Sequence, residues 1–453
     1  MEPTMRDTNF LVENNARRIW HPMAHPKEMQ NHPPRIIMKG EGIHVTDING
    51  KTVLDAVGGL WNVTLGYSCD PIKQAIADQL SQLPYYSAFR GVSTGPAIEL
   101  AYELTEWFKP EGMVRAFFTS GGSDSVETAL RLARQYWKIK GQRDRTKFLA
   151  LKKGYHGTHF GGASVNGNAN FRRNYEPLLP GVFHIPSPWT YRNPFGETDP
   201  AKLAQLCANA LADEIEFQGA DTVAAFIMEP VLGAGGVIVP HESFMGLVRE
   251  ICDRYGILLI SDEVVTGFGR TGAWSGARLW NVKPDMMTIA KAVTAGYFPL
   301  GATLINDKIA EAFESDETSF GSIGHGYTYS GHPVGCAAGI AALAETRRLQ
   351  LDANAAASGA VLNDALAKLT LTHDIVGDVR GKGLMSALEL VSDRAGKKPL
   401  DKKTLGRIAD AIYDAGVMVR VSGSNIILSP PLIISADDAK EIARAIDLGL
   451  AVA

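Results

Sequence analysis

Between residues 115 and 291, short apolar runs alternate with longer stretches of helical pattern, and nothing else in the chain restricts its fold so strongly. The runs 115–119, 147–151, 222–228 and 257–260 are β-prone, and helical patterns over 124–140, 200–217 and 242–255 separate them. A β, α, β order of this kind predicts an α/β fold, a mostly parallel sheet with helices on both faces. Two of the runs end on reactive groups. The run 257–260 gives way to the carboxylates Asp262 and Glu263, and a further run, 286–290, ends in Lys291. Ligands bind at the carboxyl ends of strands in open α/β sheets, so an acid and an amine are expected there together.

The flanks read differently. Residues 1–34 look irregular around their prolines, and 35–38, 42–46 and 51–55 read as a small antiparallel meander with a turn at Asn49-Gly50. Helices are expected over 71–83 and 96–108. After residue 330 the pattern turns helical, then gives strands over 383–390 and 417–421, a hairpin-like 425–428, and a last helix from Ser435. At 453 residues with 45% hydrophobic composition the chain is too long for one compact core. We expect a large domain over 65–325 and a smaller α+β domain built from 1–64 and 326–453.

Composition excludes several function classes. A net charge of -4 with no Lys/Arg block gives no footprint for nucleic acid or an anionic membrane. Cys69, Cys207, Cys252 and Cys336 are far apart, so neither a metal site nor a disulfide framework is expected. The N-terminus lacks the apolar stretch of a signal peptide, which makes a cytoplasmic location the expectation. Residues 319–344 carry no charged side chain, yet their Gly, His and Pro content argues for a buried loop leading into a helix rather than a membrane span.

Three glycine patterns compete for attention. Gly267-Phe-Gly269-Arg-Thr-Gly272 has dinucleotide-loop spacing but opens no helix, and Gly91-Val-Ser93-Thr-Gly95 has hydrolase-elbow spacing but follows no strand. Thr119-Ser120-Gly121-Gly122-Ser123 stands between a strand and an amphipathic helix, where free backbone N–H groups form an anion cup. That cup, an acid and a lysine at strand ends, and the ring of Tyr155 beside His156 together suggest pyridoxal phosphate.

The stretches GLWNVTLGY, TSGGSDSVETAL, GYHGTHFGGAS, AAFIMEPVLGAGGVIVP, ISDEVVTGFGRTG, KPDMMTIAKAVTAGYFPLGA and HGYTYSGHPVG resemble those of class III aminotransferases of fold type I. The resemblance covers nearly the whole chain and points to the branch that acts on ω-amino acids and amines with pyruvate. It implies that Lys291 carries the cofactor and moves the substrate proton, and that Asp262 pairs with the pyridine nitrogen. It places Gly121, Gly122 and Ser123 at the phosphate, Tyr155 and Val264 on the two ring faces, and Glu229 beside the ring hydroxyl. Gly121 and Asp124 depart from the usual Ser and Glu of the family. Thr328 would reach the phosphate of a neighbouring subunit, which implies a homodimer or homotetramer. Leu60, Trp61, Tyr86, Phe89 and Ala234 would line the substrate pocket, and Arg420 would pair with the carboxylate of a 2-oxo acid acceptor. The amine donor stays open, and an aminomutase, a decarboxylase or a Ser93-dependent hydrolase are the alternatives.

Overall fold

Successive residues of a strand point to opposite faces, so a run that is apolar throughout must be covered on both. The computed structural model, which describes residues 7–453, shows this directly. Seven strands form a central sheet: β1 (Met113–Thr119), β2 (Lys147–Leu151), β3 (Val182–Ile185), β4 (Val223–Met228), β5 (Leu258–Asp262), β6 (Met286–Ile289) and β7 (Gly301–Asn306). Leu258 and Ile260 pack with Val126, Ala129 and Ala133 of the helix Gly122–Ile139, while Leu259 packs on the other face with Leu211 and Val248. Each such Leu or Ile contributes about 2 kcal/mol by burial.

The strand order is β1-β7-β6-β5-β4-β2-β3. Neighbours from β6 to β3 are parallel, whereas β7 runs antiparallel to both β6 and β1. The sequence reading omitted β3 and β7. Both are short, and β7 follows β6 through a single 3-10 turn, with no crossover helix to announce it.

A second core draws on both ends of the chain. Leu54 and Ile72 pack with Leu388, Ile408, Ile426 and Ile446. The meander Ile37–Glu41, His44–Asp47, Thr52–Asp55 is present, and Val417–Met418 joins its last strand in parallel. Beside it lies a sheet of Val376–Lys382, Met385–Asp393, Asn425–Leu428 and Arg420–Ser422. The first of these was not expected, because its Gly, Asp, Arg and Lys content hides its pairing.

Two expectations need correction. The irregular N-terminus is helical over Thr8–Arg18, capped by the Asp7 carboxylate, and over Pro26–Asn31, which starts on proline. Residues 1–6 of that stretch lie outside the described residues. The uncharged loop before the helix Pro333–Arg348 is not buried: Ser322, Ile323, Thr328 and Tyr329 are exposed in the chain. Lack of charge there reflects something other than burial within one subunit.

Candidate active site

Strand β5 ends at Asp262, and β6, its parallel neighbour, is followed two residues later by Lys291. The acid and the amine thus leave adjacent strands at the same edge of the sheet. Asp262 is buried and held from three sides. Its Oδ1 accepts from Thr288 Oγ1 at 3.0 Å and from Val264 N at 3.2 Å, and its Oδ2 lies 2.7 Å from His156 Nδ1. Lys291 occupies left-handed backbone with φ 49°, uncommon for a non-glycine residue and of the kind found where function demands it. Burial pulls the pKa of its amine down, the Asp262 and Glu229 carboxylates oppose that shift, and the Arg420 cation adds to it.

Glu229 sits at the end of β4. Its Oε1 accepts from Tyr155 N and its Oε2 from Gly233 N, each at 2.8 Å. Burial pushes its carboxyl up to about 7, with Asp262 adding to the rise and His156 opposing it. The neighbouring acid, Glu263, turns away from this group. It accepts from Ser261 Oγ, Thr266 Oγ1 and the backbone N–H groups of Gly276 and Ala277, a structural cap.

The helix Gly122–Ile139 begins directly after β1, and no side chain caps the N–H groups of its first turn. Free N–H groups at a helix start favour an anion. Ser123 Oγ accepts from Thr158 N at 3.2 Å, and a Cβ on Gly157, whose φ is 90°, would stand 2.6 Å from that oxygen. The close approach of these two segments therefore requires glycine.

These groups line one cleft of about 450 Å³. Of the residues singled out in the sequence, Leu60, Trp61, Gly121, Gly122, Ser123, Tyr155, Glu229, Ala234, Asp262, Val264, Lys291 and Arg420 face it. Tyr86, Phe89 and Thr328 do not. They lie together on the exposed surface, where Tyr85 Oη donates to Thr328 O at 2.7 Å and Phe89 packs near Gly326. Sequence reasoning left out Met23, Phe171 and Phe298, which also line the cleft, and gave His156 no task. The Tyr155-His156 pair in the quoted stretch was the available signal for His156; Met23 had none, since its place depends on where the N-terminal helices dock.

The remaining patterns find other uses. The turn Gly267–Gly272 packs against Leu351, Asp352 and Ala356 of the helix Leu351–Thr372, away from the cleft. Ser93 is exposed in the loop before the helix Gly95–Trp107. Among the described residues no cluster of His, Cys, Asp and Glu could hold a metal, and no helix is long and apolar enough to cross a membrane.

An uncapped helix start, a buried carboxylate, a desolvated lysine and apolar side chains lining the same cleft are the donor set a flat, phosphorylated pyridine aldehyde requires, so the residues present fit pyridoxal phosphate. Comparison with known proteins agrees. The sequence matches the family described as Aminotransferase class-III over residues 25–450. It is 36% identical to a putrescine–pyruvate aminotransferase of Pseudomonas aeruginosa, over 96% of each chain. An amine transaminase from an uncultivated Pseudomonas species, solved with pyridoxal phosphate bound, superposes with a TM-score of 0.95 at 48% identity, covering 96% of this chain and 98% of that one. An (S)-enantioselective omega-transaminase from Thermomicrobium roseum gives 0.94 at 37% identity over 99% of both chains. The chain therefore belongs to the class III aminotransferases, enzymes of fold type I that work with pyridoxal phosphate.

Proposed function

We propose that this transaminase moves the amino group of a primary amine or ω-amino acid, such as a polyamine, β-alanine or taurine, to pyruvate, releasing an aldehyde or ketone and then alanine. The observation that carries the reading is the composition of the cleft lining. Arg420 shares that lining with the apolar side chains of Leu60, Trp61, Phe171 and Ala234. A guanidinium can grip the acceptor's carboxylate through two parallel hydrogen bonds, and the apolar walls suit a donor without a carboxylate at that position. The relatives named for amines and for putrescine with pyruvate support the same reading.

Bound pyridoxal phosphate supplies an aldehyde that takes up the donor nitrogen and a pyridinium that draws electrons from the carbon losing its proton. The chain's own groups do the rest. Lys291 Nζ, whose pKa burial lowers, would take the proton from the carbon that bears the donor nitrogen and deliver it to the carbon on the other side of that nitrogen. Asp262, its carboxylate oriented by His156 and Thr288, would hold the proton on the pyridine nitrogen. Gly121, Gly122 and Ser123 would receive the phosphate, Tyr155 and Val264 would bracket the ring, and Glu229 would support the ring's hydroxyl side.

The exposed patch of Tyr86, Phe89 and Thr328 belongs in this reading to the site of a second copy, so the working enzyme is a homodimer or a pair of homodimers, cytoplasmic, with its large domain over 65–325. A catalytically competent monomer on light scattering would remove the shared site. A panel of amine donors offered with pyruvate or 2-oxoglutarate tests the reaction itself. Alanine should form with several donors; glutamate alone, or no amino acid at all, would overturn the assignment.

A further inference from the structure

Arg420 stands on an edge strand. Among the described residues, Arg420–Ser422 pairs only with Asn425–Leu428, Arg420 opposite Ile427 and Ser422 opposite Asn425. The position of this hairpin over the cleft is tied to a second arginine, Arg380, on the strand Val376–Lys382. Arg380 donates from Nε to Gly236 O at 2.7 Å, from Nη2 to Asn425 Oδ1 at 2.6 Å and from Nη1 to Asp378 Oδ2 at 2.7 Å.

Gly236 lies two residues beyond Ala234, in the loop that forms one wall of the cleft. Its φ is 118°, and a Cβ there would stand 2.9 Å from Arg380 Nη2. Only glycine both takes that backbone conformation and admits the guanidinium. Neutralising Glu389 does not account for the arrangement. Glu389 already accepts from Arg192 Nε at 2.7 Å, and Arg380 reaches it only at 3.4 Å. One planar fork therefore bridges the carbonyl of the Ala234 loop and the side-chain amide of the Arg420 hairpin. Lysine, a single donor nitrogen on a flexible stem, cannot hold both.

We infer that Arg380 is a positioning residue for the acceptor: by joining Gly236 O to Asn425 it fixes how far the Arg420 hairpin stands from the Ala234 wall, and so where an incoming carboxylate is held relative to Lys291. The inference rests on the reading of Arg420 given above.

The test pairs kinetics with binding on the holoenzyme. Arg380→Lys should raise the KM for pyruvate about tenfold and weaken binding of propanoate, an inert carboxylate, by a similar factor on calorimetry. The half-reaction with an amine lacking a carboxylate should change less than about threefold. Because the residue acts through Arg420, the double variant Arg380→Lys/Arg420→Ala should be little worse toward pyruvate than Arg420→Ala alone. Equal losses in both half-reactions, or additive losses in the double variant, would overturn the inference. A silent Arg420→Ala would sink the Arg420 reading and this inference with it; an effective Arg420→Ala beside a silent Arg380→Lys would sink this inference alone. If Arg380→Lys does not fold, Asn425→Ala, which leaves the contacts of Arg380 with Asp378, Glu389 and Gly236 in place, carries the same expectations.

Discussion

The floor and the mouth of the cleft are built on different principles. The floor places Glu229, Asp262 and Lys291 at the ends of three neighbouring parallel strands, and the two carboxylates are buried and held by several hydrogen bonds each. The mouth collects Leu60, Trp61, Ala234 and Arg420 from segments far apart in sequence, with Leu60 half exposed and Arg420 on an edge strand. Sheet register fixes the spacing of the first group. Docking of the two chain ends fixes the second. Chemistry shared by every substrate belongs on the floor, and discrimination among substrates belongs at the mouth.

Substitutions can break this division or sharpen it. The largest effect is expected at the floor: Lys291→Ala should lower turnover by about 10⁴-fold or more with every donor, the upper range of general acid–base catalysis. Appreciable alanine formation by this variant would remove Lys291 from its role. Next comes pH. With Glu229 raised from 4.5 to about 7, the folded chain keeps a proton between those values that the unfolded chain has released. The stability owed to this group therefore falls as pH rises through that window, by about 3 kcal/mol in the absence of cofactor. Thermal unfolding of the apoenzyme at pH 5 and pH 8 should show the difference, and Glu229→Gln should flatten it. Leu60→Ala, at the mouth, should leave it intact, and an equal flattening there would blur the boundary between the regions. A smaller effect is expected for Arg420→Ala, which should raise the KM for pyruvate about 30-fold, the value of a lost charge-assisted hydrogen bond of about 2 kcal/mol. The KM for an amine without a carboxylate should barely move. Equal rises for both substrates would show that Arg420 supports the fold and not the acceptor.

The same contrast explains what could be read from the sequence. Asp262 and Lys291 were visible because an apolar run followed by a charged residue marks a strand end, and the strand end is where the sheet exposes its ligand edge. The helix start at Gly122 was visible for a similar reason, since a strand led into it. Met23 was not, because no periodicity tells where the N-terminal segment docks. Nor was the bridge from Arg380 to Gly236 and Asn425, whose partners lie 144 and 45 residues away in the chain. The strand Gly301–Asn306 escaped notice because it returns antiparallel without a crossover. The expectation of a buried loop before Pro333 failed on physical grounds: a stretch without charges can be an interface as readily as a core, and Ile323, Thr328 and Tyr329 are exposed in the single chain.

The most direct test of the floor is Asp262→Asn. This change keeps the size of the side chain and removes its charge, so the account predicts a folded protein that still binds pyridoxal phosphate, seen in its visible absorbance, while alanine formation from an amine and pyruvate is lost. Near-normal turnover in a cofactor-loaded Asp262→Asn enzyme would contradict the claim that the strand-end acid and lysine form one catalytic pair.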